Sequence, residues 1–254
     1  MASWSTRRQL TYFFGFFVVL ILMASLAAFY FWPRATCDDG RRNQDELGTD
    51  CGGGCLAVCP NEAIPIRAAW ARVLPLGAEA YDLAAFVSNP NVDLRAVRLP
   101  YEIKFVDDKN VLINGVRGEV SLWPGEALPI FAPDINVGRR VPARAYLELT
   151  GSARFERSTS TSPAITVTED NFTATPAPLL NARLTNNSLK PVAQIEVAVL
   201  LSDAEHNAFA VNSTFVEQLG PNETKEISFN WPRPFALTPT FTEFYPHVAT
   251  PSAL

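Results

Sequence analysis

The chain has 254 residues, 48 % of them hydrophobic, with 21 lysines and arginines against 26 acids for a net charge of −5. That balance excludes nucleic acid as the main partner, because phosphate backbones are held by clustered Lys and Arg. It also excludes wholesale disorder, and the length suffices for a membrane segment and two domains of about 100 residues each.

Residues 1–11 carry Arg7 and Arg8 and no acid. Next comes "YFFGFFVVLILMASLAAFYFW", Tyr12 to Trp32, 21 residues without a charge. This is the length of a membrane-spanning helix. Trp4, Tyr12, Tyr30 and Trp32 lie near its ends, as interfacial aromatics do. The positive-inside rule keeps Arg7 and Arg8 in the cytoplasm, with Arg34 as a counter-signal on the far side. The rival is a signal peptide cut after Ala27. Its apolar region would end after about 7–15 residues, whereas this run continues through "FYFW". The reading is an uncleaved signal anchor in the cell membrane, N-terminus cytoplasmic, with the C-terminal ectodomain outside.

All four cysteines follow in "CDDGRRNQDELGTDCGGGCLAVC", residues 37–59. A zinc site prefers two tight Cys-x2-4-Cys hooks, and here Cys37 stands alone while Cys51, Cys55 and Cys59 crowd together. Iron–sulfur and redox readings fail on location and on the missing Cys-x-x-Cys pair. Two disulfides in an oxidising compartment fit best, with all three connectivities open. Asp38, Asp39, Asn43, Asp45, Glu46 and Asp50 are hard oxygen donors suited to calcium; the alternative is a solvated acidic loop. The stretch resembles a motif of bacterial surface proteins, C-x-D-G-x-x-N-x-x-E-x-G-x-D-C-G-G-x-C, found just outside an N-terminal anchor. Three residues separate Cys55 from Cys59 where that motif has two.

Beyond residue 62 the pattern is mainly β. "YDLAAFVSN", "LPYEIKFVDD", "NVLIN", "GEVSLW", "LPIFA" and "RAYLELTG" alternate apolar with polar residues between Gly, Pro, Asn and Asp. They read as antiparallel strands with one wet face. A mixed α+β domain is the rival, but no segment after Trp32 sustains a 3.6-residue apolar period. "RSTSTSPA", Arg157 to Ala164, reads as a linker or edge strand, after which "PLLNARLTNNS", "AQIEVAVLLSD" and "KEISFNW" resume the alternation.

The two halves look like copies. Asn89 and Asn186 lie 97 residues apart, as do Leu122 and Leu219, Pro124 and Pro221, and Glu126 and Glu223. Asp107 and Asp203 lie 96 apart. A period near 97 suits one seven-stranded β-sandwich per copy, giving sandwiches over 62–157 and 164–248 and a tail over 249–254. Asn89-Pro90-Asn91 and Asn186-Asn187 read as turns, where Asn tolerates left-handed geometry and caps the turn with its side chain. Pro124 and Pro221 are expected to preset tight turns. "I-x-F-V-D" (Ile103 to Asp107) and "V-x-L-S-D" (Val199 to Asp203), each followed by "L-x-P-x-E" and a strand, resemble the FxLYD-type domain. Val106 and Ser202 replace the aromatic of its fourth position. The resemblance implies an immunoglobulin-like sandwich in a bacterial surface setting, without catalytic residues.

Chemistry has few parts. His206 reads as a solvated hairpin residue and His247 as one in a proline-rich tail. There is no G-x-S-x-G elbow, H-E-x-x-H or phosphate loop. Asn171, Asn186, Asn212 and Asn222 head glycosylation sequons and read as accessible loop positions. The tail, with Phe235, Phe241, Phe244 and Tyr245 among its prolines, reads as a strap along the second sandwich, or as a peptide docking on a partner. The expectation is a non-enzymatic structural or adhesion/assembly protein with a protein partner at the cell surface. The alternative is a ligand- or calcium-binding accessory subunit of an envelope complex.

Overall fold

Helix α1 (Trp4–Phe31) is built from Phe, Leu, Val, Ile, Met and Ala, with no proline and Gly15 as its one glycine. Its apolar segment Arg8–Phe31 has a mean hydropathy of 2.4 and no buried residue. At 1.5 Å per residue its 24 residues reach about 36 Å, enough to cross a hydrocarbon core. The helix extends back past Tyr12 to Trp4, the first described residue, because nothing in "WSTRRQL" breaks it. The computed structural model describes residues 4–31, 36–77, 80–158 and 162–249. Trp32, Arg34, part of the 157–164 segment and tail residues 250–254 lie outside them. The chain divides into two units, one ending at Gly54 and one starting at Cys55.

In the first unit, residues 37–54 form a loop without an apolar core. Gly48 and Cys51 make an isolated bridge. Gly53 has φ +57°, and a Cβ there would lie 2.1 Å from the Asp45 carbonyl oxygen. No other residue fits that contact. All four cysteines are disulfide-bonded, so the loop is held by covalent bonds.

Among the described residues the second unit holds fourteen strands in four antiparallel sheets. The first eight are β1 (Ala57–Val58), β2 (Arg67–Gly77), β3 (Ala80–Ser88), β4 (Leu94–Val106), β5 (Leu112–Leu122), β6 (Ala127–Ala132), β7 (Arg144–Leu149) and β8 (Arg154–Arg157). One sheet runs β2-β3-β6; the facing sheet runs β1-β8-β4-β5, with β7 also on β4. The remaining six are β9 (Ile165–Thr173), β10 (Leu179–Asn186), β11 (Val192–Ser202), β12 (Ala208–Leu219), β13 (Thr224–Asn230) and β14 (Phe241–Val248). They form β13-β10-β9 and β12-β11-β14. Each sandwich has its own core, centred on Leu83, Ile103, Phe105 and Leu122 in the first and on Leu184, Ile195, Leu201 and Phe229 in the second.

Three local results differ from the sequence reading. β1 lies inside the cysteine stretch, so the first sandwich begins before residue 62: Val58 is buried, and β1 pairs with β8. "NVLIN" and "GEVSLW" are one strand, β5. The proline-rich tail lies along the second sandwich, but as a hydrogen-bonded strand: Phe241–Val248 form β14, paired to β11 from Ile195↔Val248 to Ser202↔Phe241. Pro246 is tolerated because β14 is an edge strand, where one row of N–H groups has no partner to lose.

β3 and β11 also depart from one-face-wet alternation. Asp82 through Ala85 and Val197 through Ser202 are buried in unbroken runs. Such runs mark strands covered on both faces. Here the second cover is the other sandwich: Leu74 and Ala84 pack with Leu200, Ala208 and Val211, flanked by Trp70, Phe131 and Tyr245.

Candidate functional site

The residues matched by spacing in the two halves make matching hydrogen bonds. Asn89 is 1 % exposed and Asn186 0 %. The Nδ2 of Asn89 donates to the carbonyls of Leu94 (2.7 Å) and Trp123 (2.9 Å). That of Asn186 donates to Lys190 (2.8 Å) and Gly220 (2.8 Å). Each Oδ1 accepts the backbone N–H two residues on, from Asn91 and from Ser188. Neither has a positive φ, so they serve the turns by side-chain capping, as expected, and not by left-handed backbone. Both act as buried amide hubs that tie three loop segments together.

The proline turns form as expected. The Glu126 N–H donates to Trp123 O and the Glu223 N–H to Gly220 O. Gly125 (φ 70°) and Asn222 (φ 54°) supply the positive φ that a type II turn needs after proline. The glutamate carboxylates cap those turns, Glu126 on the Trp123 N–H (2.7 Å) and Glu223 on the Gly220 N–H (2.6 Å). Asp107 and Asp203 likewise cap the hairpin turns, each Oδ1 accepting from the residues two and four on. His206 sits in the second of these with φ 60° and stacks on Phe241 at 4.0 Å.

His247 is not a solvated tail residue. It lies at the joint, where its side chain and that of Glu126 are 12 % and 10 % exposed. Its Nδ1 is 3.0 Å from Glu126 Oε1 and its Nε2 3.4 Å from Ser121 Oγ. Beside it the Trp123 indole N–H donates to Val248 O (3.1 Å), and Arg72 reaches Ala208 O (3.2 Å). A ring series continues the seam, Trp70 stacked on Phe86 at 5.8 Å and Phe86 edge-on to Tyr245 at 5.5 Å. Burial first, then the charge of Glu243, pushes the Tyr245 phenol up to about 12.

Ser121, His247 and Glu126 stand in the order of an acyl-transfer triad. Next to them, between the sandwiches, is a cavity of about 140 Å3 lined among others by Tyr101, Glu119, Phe131, Glu196, Tyr245 and His247. Ser121 does not line it. A nucleophile needs room for a carbonyl within reach, and the cavity presents the imidazole without the hydroxyl. The arrangement therefore serves better as a polar clasp between β5 and β14 than as a relay. Sequence reasoning missed it because its members are 121 to 247 in the chain, with no local motif. The unbroken apolar runs in β3 and β11 were the available signal for a covered face.

Among the described residues, no three of Asp38, Asp39, Asp45, Glu46 and Asp50 bring carboxylate oxygens together. Asp50 accepts from the Asp39 and Gly40 N–H groups, Asp39 from Arg41 N–H and Asn43 Nδ2, and Glu46 from Asn43 N–H. The Asn43 side-chain bond is the largest influence holding the Asp39 carboxyl below its ordinary value. These acids brace the loop by accepting backbone donors. Cys37, Cys51, Cys55 and Cys59, all in disulfides, have no thiolate to offer a metal. Of the sequon residues, Asn171 and Asn222 are exposed, and Asn212 is half-buried with Nδ2 on Asn230 O. Asn186, read as accessible, is fully enclosed.

No family model matches the chain, and no curated protein does. Among solved structures, a single-site mutant of Bacillus subtilis oxalate decarboxylase aligns over 86 % of this chain and 84 % of its own at 10 % identity. Its TM-score of 0.12 carries no argument.

Proposed function

We propose that this is a signal-anchored, non-enzymatic surface protein that holds two FxLYD-like sandwiches outside the cytoplasm as one stiff module for assembly with a protein partner. The observation that carries the reading is the joint. Apolar packing, the Trp123–Val248 bond and the His247 clasp bind the sandwiches into one body, which suits presenting a surface at a set geometry. The equal strand orders β2-β3-β6 and β9-β10-β13, with the twin asparagine hubs, support a tandem duplication. The apolar helix and the disulfides support an anchored chain whose folded part lies in an oxidising space.

Protease added to intact cells should digest residues beyond the helix and spare residues 1–11; protection of the β-rich unit overturns the orientation. A fluorophosphonate probe separates binder from hydrolase. It should leave Ser121 unmodified, and covalent labelling of Ser121 that disappears in His247→Ala overturns the non-enzymatic reading. The calcium-binding alternative retains one observation, the buried Asn43 Oδ1 that lacks a hydrogen-bond partner. A single open acceptor is far from the six to eight oxygens calcium takes. A chelator should leave the melting temperature of the full chain unchanged, and a lowered one would reinstate calcium.

A further inference from the structure

The cavity between the sandwiches is lined by two polar groups without a protein hydrogen-bond or ion-pair partner among the described residues, the half-buried Tyr101 and the solvent-exposed Glu196. Tyr101, on β4, is laid over Gly118, its cross-strand partner on β5. A Cβ at Gly118 would fall 2.4 Å from the phenol oxygen, so the glycine sets where the ring lies. Among the described residues the Tyr101 hydroxyl makes no hydrogen bond, although the residue is half-buried. Glu196 reaches the same cavity from β11 of the other sandwich. It makes no ion pair among the described residues, whereas Glu119 is held by Arg98 and Glu126 by His247. The lining contains no lysine or arginine. Both residues line the one cavity, and in keeping with that, burial and then the charge of Glu196 push the Tyr101 phenol above its ordinary value.

We infer that this cavity binds an alkylammonium group, the ammonium donating to the Glu196 carboxylate and the Tyr101 oxygen while the alkyl stem packs between Tyr245, Phe131 and Ile130. The chemistry matches at each point. An ammonium offers three donors and no acceptor, and it meets an unpaired carboxylate and an unbonded phenol oxygen. Tyrosine faces attract cations. A space of about 140 Å3 is of the order that takes one benzene-sized molecule, room for a four-carbon stem. The ammonium comes either from a partner's lysine or from a free amine. Because the site draws one wall from each sandwich, occupancy stiffens the joint. The inference does not rest on the assembly reading, since a free amine satisfies it equally.

The test uses the full chain in detergent micelles, titrated with n-butylammonium chloride against matched sodium chloride and followed by NMR of ring-labelled tyrosines. Saturable shifts are expected at Tyr101 and Tyr245, with none from n-butanol, which has the stem without the charge. Glu196→Gln should weaken binding at least tenfold and Tyr101→Phe about threefold. Gly118→Ala, which displaces the ring without touching a charge, should also weaken it. Absence of saturable binding, or unchanged affinity in Glu196→Gln with unchanged thermal unfolding, overturns the site. A lysine tripeptide with blocked termini and 1,4-diaminobutane then distinguish the sources: the tighter of the two names the origin of the ammonium.

Discussion

The first and second sandwiches share one hydrogen-bond circuit and use its surroundings differently. In both, a buried asparagine (Asn89, Asn186) joins the end of one strand to a proline turn capped by glutamate. In the first, that glutamate also clasps His247, so a turn cap has become part of the joint. In the second, Glu223 is exposed and caps its turn alone. Next to the hub, the first sandwich has Asn91, whose amide makes a two-way bond with the Ile64 backbone and ties down the incoming chain. The second has Ser188 there, whose hydroxyl bonds within its own loop, to Asn186 Oδ1 and Lys190 O. The hub is a fixed internal part because moving it would strand several buried carbonyls at once. Its neighbours sit at the rim and can take on contacts without breaking it.

Removing the hub should have the largest effect. Asn89→Ala and Asn186→Ala should each cost about 3 kcal/mol in denaturant unfolding, the asparagine at 89 more because the two Asn91 donors that lose their acceptor are buried, whereas the two Ser188 donors on Asn186 are only partly so. A tolerated Asn186→Ala would show that the circuit is shared by ancestry and not by need. Next in size is the asymmetry of the glutamates. Glu126→Ala should cost about 2 kcal/mol and Glu223→Ala about 1 kcal/mol, since one loses a buried clasp and a cap and the other a cap alone. Equal losses would remove the joint from the account.

A smaller effect belongs to Tyr245, whose folded value of about 12 exceeds the ordinary 10.0. The folded state prefers the neutral phenol, so stability is complete below pH 10 and is lost as pH rises towards 12. Tyr245→Phe should flatten that alkaline slope, read by unfolding midpoints across the range. Smallest is Asp82, buried in β3 where Leu179 stands at the equivalent place in β10. Burial raises its carboxyl above 3.8, although the Asp134 N–H it accepts pulls the other way. The folded state therefore favours the protonated acid, and stability falls as pH climbs from 3.8 through the raised value. Asp82→Asn keeps the acceptor and should abolish this dependence, with a gain of no more than about 1 kcal/mol at neutral pH.

The one-residue slip in the spacing match between the two halves also has a location. The span bridged by the hub is one residue longer at Asn89–Leu94 than at Asn186–Lys190. It is regained at a bulge in β4 between Ala96 and Leu99, where β11 pairs with β12 in regular register. A bulge places an extra residue on one strand only, which a spacing comparison registers as a slip without its cause.

What could be read along the chain was whatever depends on neighbours in sequence. The apolar run, the even set of cysteines, the strand alternation, the Asp caps and the Pro-x-Glu turns all rest on local geometry or on composition against solvent. Even the sites of the two hubs were marked by spacing, though not their role, because an exposed turn asparagine and a buried one look alike in sequence. The joint, the His247 clasp and the cavity with Tyr101 and Glu196 required the folded chain. Each brings together groups from strands that are neither consecutive nor in the same sheet, and burial is created only when the second sandwich covers the first. A proline-rich stretch became an edge strand for the same reason: the free edge of β11 supplied partners that its own sequence could not announce.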